Sequence, residues 1–301
     1  MVAEETGVRI DALIPAEMAR KAGDVGVKKA GLDVLSLFAL SVLAGAFIAI
    51  GAIFASTVSA GGLSLHDAAG TASLTGSIPT GITRLLAGLA FSLGLILVVV
   101  AGAELFTGNN LIVIAWASGR VRTRSMLRNW TIVYIGNFMG AIGTVALMFA
   151  SGQYRFGGGA IGATALATAN TKAGYGFVQA VALGILCNAL VCLAVWLTFS
   201  ARSTTDRILA IVPPIAAFVA AGFEHSIANM YFIPIGILIR FFAPAEFWKE
   251  IGRAPSDYPA LDWSGFVSNL VPVTIGNIIG GTVLVAGIYW LIYLRKGERA
   301  T

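Results

Sequence analysis

The sequence predicts an all-α polytopic membrane protein, six transmembrane helices forming an inverted 3+3 repeat in which two of the helices are broken. Three observations carry that expectation. Hydrophobic residues make up 57% of the 301 positions and charged residues only 12%, with a mean hydropathy of +0.84, a balance foreign to a soluble chain of this length. Apolar runs recur at about 32–58, 85–116, 130–150, 175–199, 208–239 and 264–294, and nearly all Lys and Arg fall between them. The second and fifth runs each contain the polar signature G-x-E-x-x-x-x-N, once from Gly102 to Asn109 and once from Gly222 to Asn229.

The N-terminal arm, 1–31, precedes the first run. Its stretch from Val8 to Ala30 mixes apolar and charged residues, so it reads either as an amphipathic helix on the membrane surface or as a soluble lead-in. No short apolar core follows a basic start, so no cleavable signal peptide is expected and the first run should direct insertion. The 59–80 connection has no Lys or Arg and holds His66, read as solvated surface.

The second and fifth runs are too long for one crossing. Thirty-two residues of helix reach about 48 Å, against a hydrocarbon core of roughly 30 Å. An interruption in each resolves the length and accommodates the carboxylate and amide, which are costly at membrane depth without partners. Gly102 and Gly108 would permit the sharp turn. Glu104 and Glu224 read either as caps for backbone N–H groups exposed at each break, the preferred reading, or as proton-relay carboxylates, and Asn109 and Asn229 read as further supports of the break.

The third and sixth runs share a second frame, N-x5-I-G-N-x-x-G, beginning at Asn129 and at Asn269. A broken span followed by a Gly-Asn span thus occurs once in 32–150 and once in 174–294. An odd number of spans per copy forces the second to enter from the opposite side. Gly136/Gly140 and Gly276/Gly280 are small-xxx-small pairs for close helix approach, and Asn137 and Asn277 are expected to bond a neighbouring helix or an interrupted backbone. The fourth run carries both cysteines, Cys187 and Cys192, off one another's face and read as apolar packing residues.

Basic residues set the orientation. Arg9, Arg20, Lys21, Lys28 and Lys29, then Arg120, Arg122, Arg124 and Arg128, then Arg202 and Arg207, then Arg295, Lys296 and Arg299 all fall on one side. The positive-inside rule puts that side, with both termini and the 295–301 tail, in the cytoplasm. The net charge of +5 therefore reflects topology, not nucleic-acid binding. Trp130, Trp196, Trp248, Trp263 and Trp290 are expected as interfacial anchors.

Three stretches, Gly102-Ala103-Glu104-Leu105-Phe106-Thr107, Leu186 through Trp196, and Gly222 through Met230, resemble the formate/nitrite transporter family. The resemblance runs from about Ile10 to Trp290. Pro15-Ala16-Glu17-Met18-Ala19 and Ile233-Pro234-Ile235-Gly236-Ile237 are more similar to its formate-channel branch than to its nitrite branch. The resemblance implies a single membrane domain, 1–301, folded as an aquaporin-like protomer of a homopentamer in the bacterial inner membrane, with a pore for small monovalent anions in each protomer. It implies a cytoplasmic constriction of Phe91, Leu95 and Phe106, a periplasmic one of Val191 and Phe218, a central His225 facing Thr107 and Asn188, and a vestibule lysine at Lys172.

A weak acid can cross an apolar constriction as a neutral molecule if it takes up a proton. The imidazole of His225 suits that role because its unperturbed pKa, about 6.5, lies near neutrality. The expected function is a channel or transporter for formate, with protons and membrane lipid as its other partners. Nitrite, hydrosulfide, acetate or lactate are alternatives within the family. An aquaporin-like pore for neutral solutes is disfavoured because neither break reads Asn-Pro-Ala. A membrane enzyme is disfavoured too, since two His and two Cys at these spacings build no metal or cofactor site, and no G-x-S-x-G or H-E-x-x-H occurs.

Overall fold

The computed structural model describes residues 12–61 and 78–295 with their side chains, and the backbone of 63–66 and 73–76. Arg9, Lys296, Arg299 and the side chain of His66 lie outside the described residues. Among the described residues, and besides short 3-10 turns at Gln153–Arg155 and Pro255–Asp257, eleven helices follow in order. They are α1 (Pro15–Ala30), α2 (Val34–Ser59), α3 (Thr80–Gly102), α4 (Phe106–Ala117), α5 (Thr123–Ser151), α6 (Ala160–Ala173), α7 (Phe177–Ser200), α8 (Thr204–Ala221), α9 (Ser226–Phe242), α10 (Ala245–Glu250) and α11 (Trp263–Tyr293).

Six of them, α2, α3, α5, α7, α8 and α11, are long and apolar enough to cross a membrane, and α4 and α9 are shorter apolar pieces. The two overlong runs of the sequence are thus α3 with α4 and α8 with α9. In each, the chain leaves the helix at the glycine of the signature. The 59–80 connection adds one departure from an all-helical chain, an antiparallel hairpin pairing β1 (Leu63–His66) with β2 (Ser73–Gly76).

Polar caps start the helices where apolar runs begin. Asp33 accepts from Ser36 N at α2, Ser203 from Asp206 N at α8 and Asp262 from Gly265 N at α11. The helix α5 begins several residues before its apolar run, and within its polar first turns the Arg128 guanidinium donates to the Leu32 carbonyl at 3.0 Å.

One face of the molecule carries α1 and the end of α11, and we term it the terminal face. The opposite, distal face carries the hairpin, α6 and α10. The first span of one copy, α2, leaves the terminal face, whereas its counterpart α7 leaves the distal face, so the repeat is inverted. Matching contacts hold the two copies. A Cβ on Gly140 would run into the Val42 carbonyl and one on Gly280 into the Ile185 carbonyl, and the same holds for Gly136 against Ser41 and Gly276 against Val181. Close backbone approach of α2 with α5, and of α7 with α11, is what these glycines permit.

The helix α1 does not lie on a lipid surface. Its buried side, Met18, Ala19, Ala22, Gly23, Gly26 and Ala30, packs against α4, α5, α7 and α11. Lys21 Nζ donates to the Phe199 carbonyl at 2.8 Å, and burial, then Arg202 and Arg207, hold this ammonium below the usual lysine range. Two of the five tryptophans expected as anchors are buried instead, Trp196 stacked on Tyr289 at 4.0 Å and Trp248 beside Phe247, whereas Trp263 is exposed and Trp130, which donates to the Asn109 carbonyl at 3.0 Å, and Trp290 are half-buried.

Candidate functional site

Both breaks are built the same way. Gly102 has φ +83° and Gly222 φ +76°, the left-handed conformation that a glycine adopts without penalty. Gly108 is not part of the turn; it sits inside α4 on the wall of a cavity. After each glycine the chain runs extended for three residues. The backbone freed there is satisfied by the asparagine of the G-N-x-x-G frame. Asn137 Oδ1 accepts from Phe106 N at 2.9 Å while its amide donates to the Ser41 and Glu104 carbonyls at 2.7 and 2.9 Å. Asn277 repeats this, accepting from Ser226 N at 2.9 Å and donating to the Gly184 and Glu224 carbonyls at 2.8 and 2.9 Å.

The glutamates therefore do not cap backbone N–H groups, as the sequence led us to expect. Each instead joins a side-chain cluster. Lys29 Nζ donates to Glu104 at 2.8 Å and to Asn109 Oδ1 at 2.9 Å, and Asn109 donates to Glu104 at 2.7 Å and to Asn129 Oδ1 at 2.9 Å. At the other break Lys172 Nζ donates to Glu224 at 2.6 Å, and Asn229 donates to Glu224 and to Asn269 Oδ1, both at 2.7 Å. Asn129 and Asn269 in turn donate to the Lys29 and Lys172 carbonyls at 3.0 and 2.8 Å. A buried carboxylate is tolerable when paired and hydrogen-bonded like this. The symmetry includes a helix ahead of each three-span unit, α1 bearing Lys29 and α6 bearing Lys172. Its signal in the sequence is the matching Lys29-Ala30-Gly31 and Lys172-Ala173-Gly174.

The two breaks meet at Thr107 and His225, whose Oγ1 and Nε2 lie 3.0 Å apart in the buried centre. His225 is also the N-cap of α9, its Nδ1 accepting the Ala228 N–H at 3.1 Å. That bond requires an unprotonated Nδ1, so the neutral ring carries its hydrogen on Nε2 and presents it toward Thr107. Phe218 stacks on the imidazole at 6.0 Å between centroids. Asn188 makes no hydrogen bond to the ring. Its amide donates to Asn110 Oδ1 at 2.8 Å, to the Asn277 carbonyl at 2.7 Å and, more weakly, to the Thr107 carbonyl at 3.3 Å, so it ties the two breaks together.

A cavity approaches this junction from each face. The terminal one, about 560 Å³, is walled by Lys28, Lys29, Leu95, Glu104, Leu105 and Gly108 among others. The distal one, about 340 Å³, is walled by Arg84, Phe91, Lys172, Phe218, Glu224 and His225 among others. The apolar residues expected to form constrictions are regrouped by this geometry. Phe91 leaves the terminal set and packs edge-on against Phe218 at 5.7 Å on the distal side, while Leu95 faces the terminal cavity. Phe106 points away, edge-on to Tyr134 at 4.9 Å and Trp130 at 6.1 Å, and Leu105 takes its place on the cavity wall. Val191 is buried in the core and lines neither cavity.

The formate/nitrite transporter profile matches residues 16–291. The chain belongs to the formate/nitrite transporter family. Among the relatives of this member is the formate channel FocA of Escherichia coli (strain K12), 48% identical over 96% of this chain and 97% of that one. The formate channel FocA of Haemophilus influenzae is 41% identical over 98% of this chain and 99% of its own. A solved structure described as a pentameric formate channel with formate bound superposes with a TM-score of 0.78 at 47% identity, covering 87% of this chain and 98% of that one. A second, described as an FNT family ion channel, has a TM-score of 0.70 at 27% identity, over 91% and 98%.

Sequence reasoning about this formate/nitrite transporter passed over Leu105, Asn110, Arg84 and Lys28. Leu105 and Asn110 lie in the fifth run's counterpart with nothing to separate them from neighbouring apolar and polar residues. Arg84 received no reading from the sequence, and Lys28 read only as one of the basic residues that set the orientation. Among the described residues, no three His, Cys, Asp or Glu side chains stand together as a metal site.

Proposed function

We propose that this chain conducts formate across the bacterial inner membrane, through a path in each protomer of a homopentamer, with both termini in the cytoplasm. The observation that carries the reading is the junction of Thr107 and His225 between two opposed cavities. FocA-named relatives and a formate-bound neighbour support the choice of substrate, and the arginines and lysines of the terminal face support the orientation.

The chemistry follows from the cap. A bare anion entering the apolar stretch between Phe91, Phe218, Leu95 and Leu105 loses its hydration, at a cost that hydrogen bonds must offset. The Nε2–H of His225 faces Thr107 Oγ1, and formate taking the place of that hydroxyl receives the same hydrogen bond. Delivery of a proton is a separate step. Only a doubly protonated, cationic ring can hand the Nε2 proton to formate and end as neutral imidazole, giving formic acid. A second proton goes on Nδ1, so the ring must first release the Ala228 N–H. The N-termini of α4 and α9 both open at the junction, and their positive ends favour an anion there.

Formate flux in proteoliposomes at about pH 5 to 8, with and without an imposed proton gradient, tests the reading. The wild type is expected to carry formate with a pH-dependent rate, and His225→Phe to lose that dependence. Unchanged rate and unchanged pH profile in the variant would rule out the histidine's role. Parallel flux of nitrite, acetate and lactate ranks the substrates.

A further inference from the structure

Two lysines in the cavity walls have their charge already taken up, Lys29 by Glu104 at 2.8 Å and Lys172 by Glu224 at 2.6 Å. Each cavity carries one more cation. Lys28 stands on the terminal wall and Arg84 on the distal wall, both exposed. Among the described residues, neither side chain has an ion-pair or hydrogen-bond partner. The carboxylates on these walls are Glu104 and Glu224, both bonded within their own clusters. The positive charge left to act on a solute in each mouth is therefore that of Lys28 and of Arg84.

Arg84 lies close to the second break. A Cβ on Gly222 would lie 3.4 Å from its Nη1, so the guanidinium stands beside the turn that leads to His225. A fixed positive group in a narrow mouth raises local anion concentration through a field that salt screens.

We propose that Arg84 and Lys28 capture a small monovalent oxyanion at the distal and terminal mouths, while Lys172 and Lys29 serve the folded breaks. The assignment rests on the transport reading above and adds a sidedness to it. It divides labour between neighbouring cations that look alike in composition: the half-buried, paired lysine holds structure, and the exposed, unpaired cation acts on the solute.

The test is side-resolved flux in oriented proteoliposomes at low and high ionic strength, with formate, nitrite and acetate in parallel. Arg84→Gln is expected to raise the half-saturating anion concentration from the distal side about two- to fivefold at low ionic strength, and to leave the terminal side unchanged. Lys28→Gln is expected to do the converse. In both the gap closes at high salt, maximal flux is retained, and Arg84→Lys restores the wild-type value. A purely structural role for Arg84, such as steadying the end of α8, would lower maximal flux at every salt concentration. That result, or no sided shift with any carried anion, overturns the proposal. A sided shift with nitrite in a protein that carries no formate would instead overturn the formate reading and leave Arg84 in place.

Discussion

At the scale of single residues, the signature glutamates changed meaning most between sequence and structure. Composition alone makes a buried carboxylate an expense to be explained, and capping was a reasonable explanation because a helix break exposes N–H groups. The structure gives that task to Asn137 and Asn277, which offer both an acceptor and two donors at the break, whereas a carboxylate can only accept. Glu224 is instead half of an ion pair whose side chains are 15% and 2% exposed for Lys172 and Glu224. Removing one partner leaves an uncompensated buried charge, so Lys172→Met should destabilise the protomer by about 3–5 kcal/mol, and adding Glu224→Gln should recover most of the loss. Thermal melting of detergent-solubilised protein reads this, and equal melting of the single and double variants would contradict the coupling.

At the scale of elements, the helix-breaking glycines and the helix-packing glycines separate cleanly. Gly102 and Gly222 adopt positive φ where the chain leaves α3 and α8. Gly140 has ordinary helical backbone, and its role is contact, since any Cβ there meets the Val42 carbonyl across the α2–α5 crossing. Gly140→Ala should therefore cost about 1–3 kcal/mol through forced separation of α2 and α5. Gly143→Ala, one turn along the same helix with nothing within 4 Å of its Cβ, should be neutral or slightly stabilising. Comparable melting temperatures for the two alanine variants would show that α2 and α5 do not approach as closely as described. The helix α1 belongs at this scale as well. Its mixed pattern marks one wet and one dry side, but only the folded chain reveals that the dry side faces protein.

At the scale of the whole molecule, a broad band of large apolar side chains remains exposed, including Leu35 at 79%, Val178 at 79% and Leu147 at 73%. Lipid and neighbouring protomers can cover such a band, and the proposed homopentamer would use both. Native mass spectrometry from mild detergent should give a species about five times 31.2 kDa, and a monomer throughout would exclude the pentamer. The inverted symmetry also operates at this scale. Equivalent clusters stand on opposite sides of one junction, so each face offers a cavity with a paired lysine and a free cation, while His225 breaks the symmetry at the centre.

The number of spans, the two breaks, the inversion and the importance of Glu104, Glu224, Asn137 and Asn277 were legible in the sequence, because hydrophobic length and misplaced polar groups are properties of the chain itself. The meeting of Thr107 with His225 was legible only through resemblance. Which side chain faces a cavity was decided by tertiary structure. One residue's difference, Leu105 against Phe106, or one turn's difference, Phe91 against Leu95, sends neighbouring apolar side chains to different surroundings that share the same composition. The partners of the lysines were hidden for the same reason. An ion pair between Lys29 and Glu104 or Lys172 and Glu224 joins residues far apart in the chain, and only packing determines which charge is spent and which is left to meet the solute.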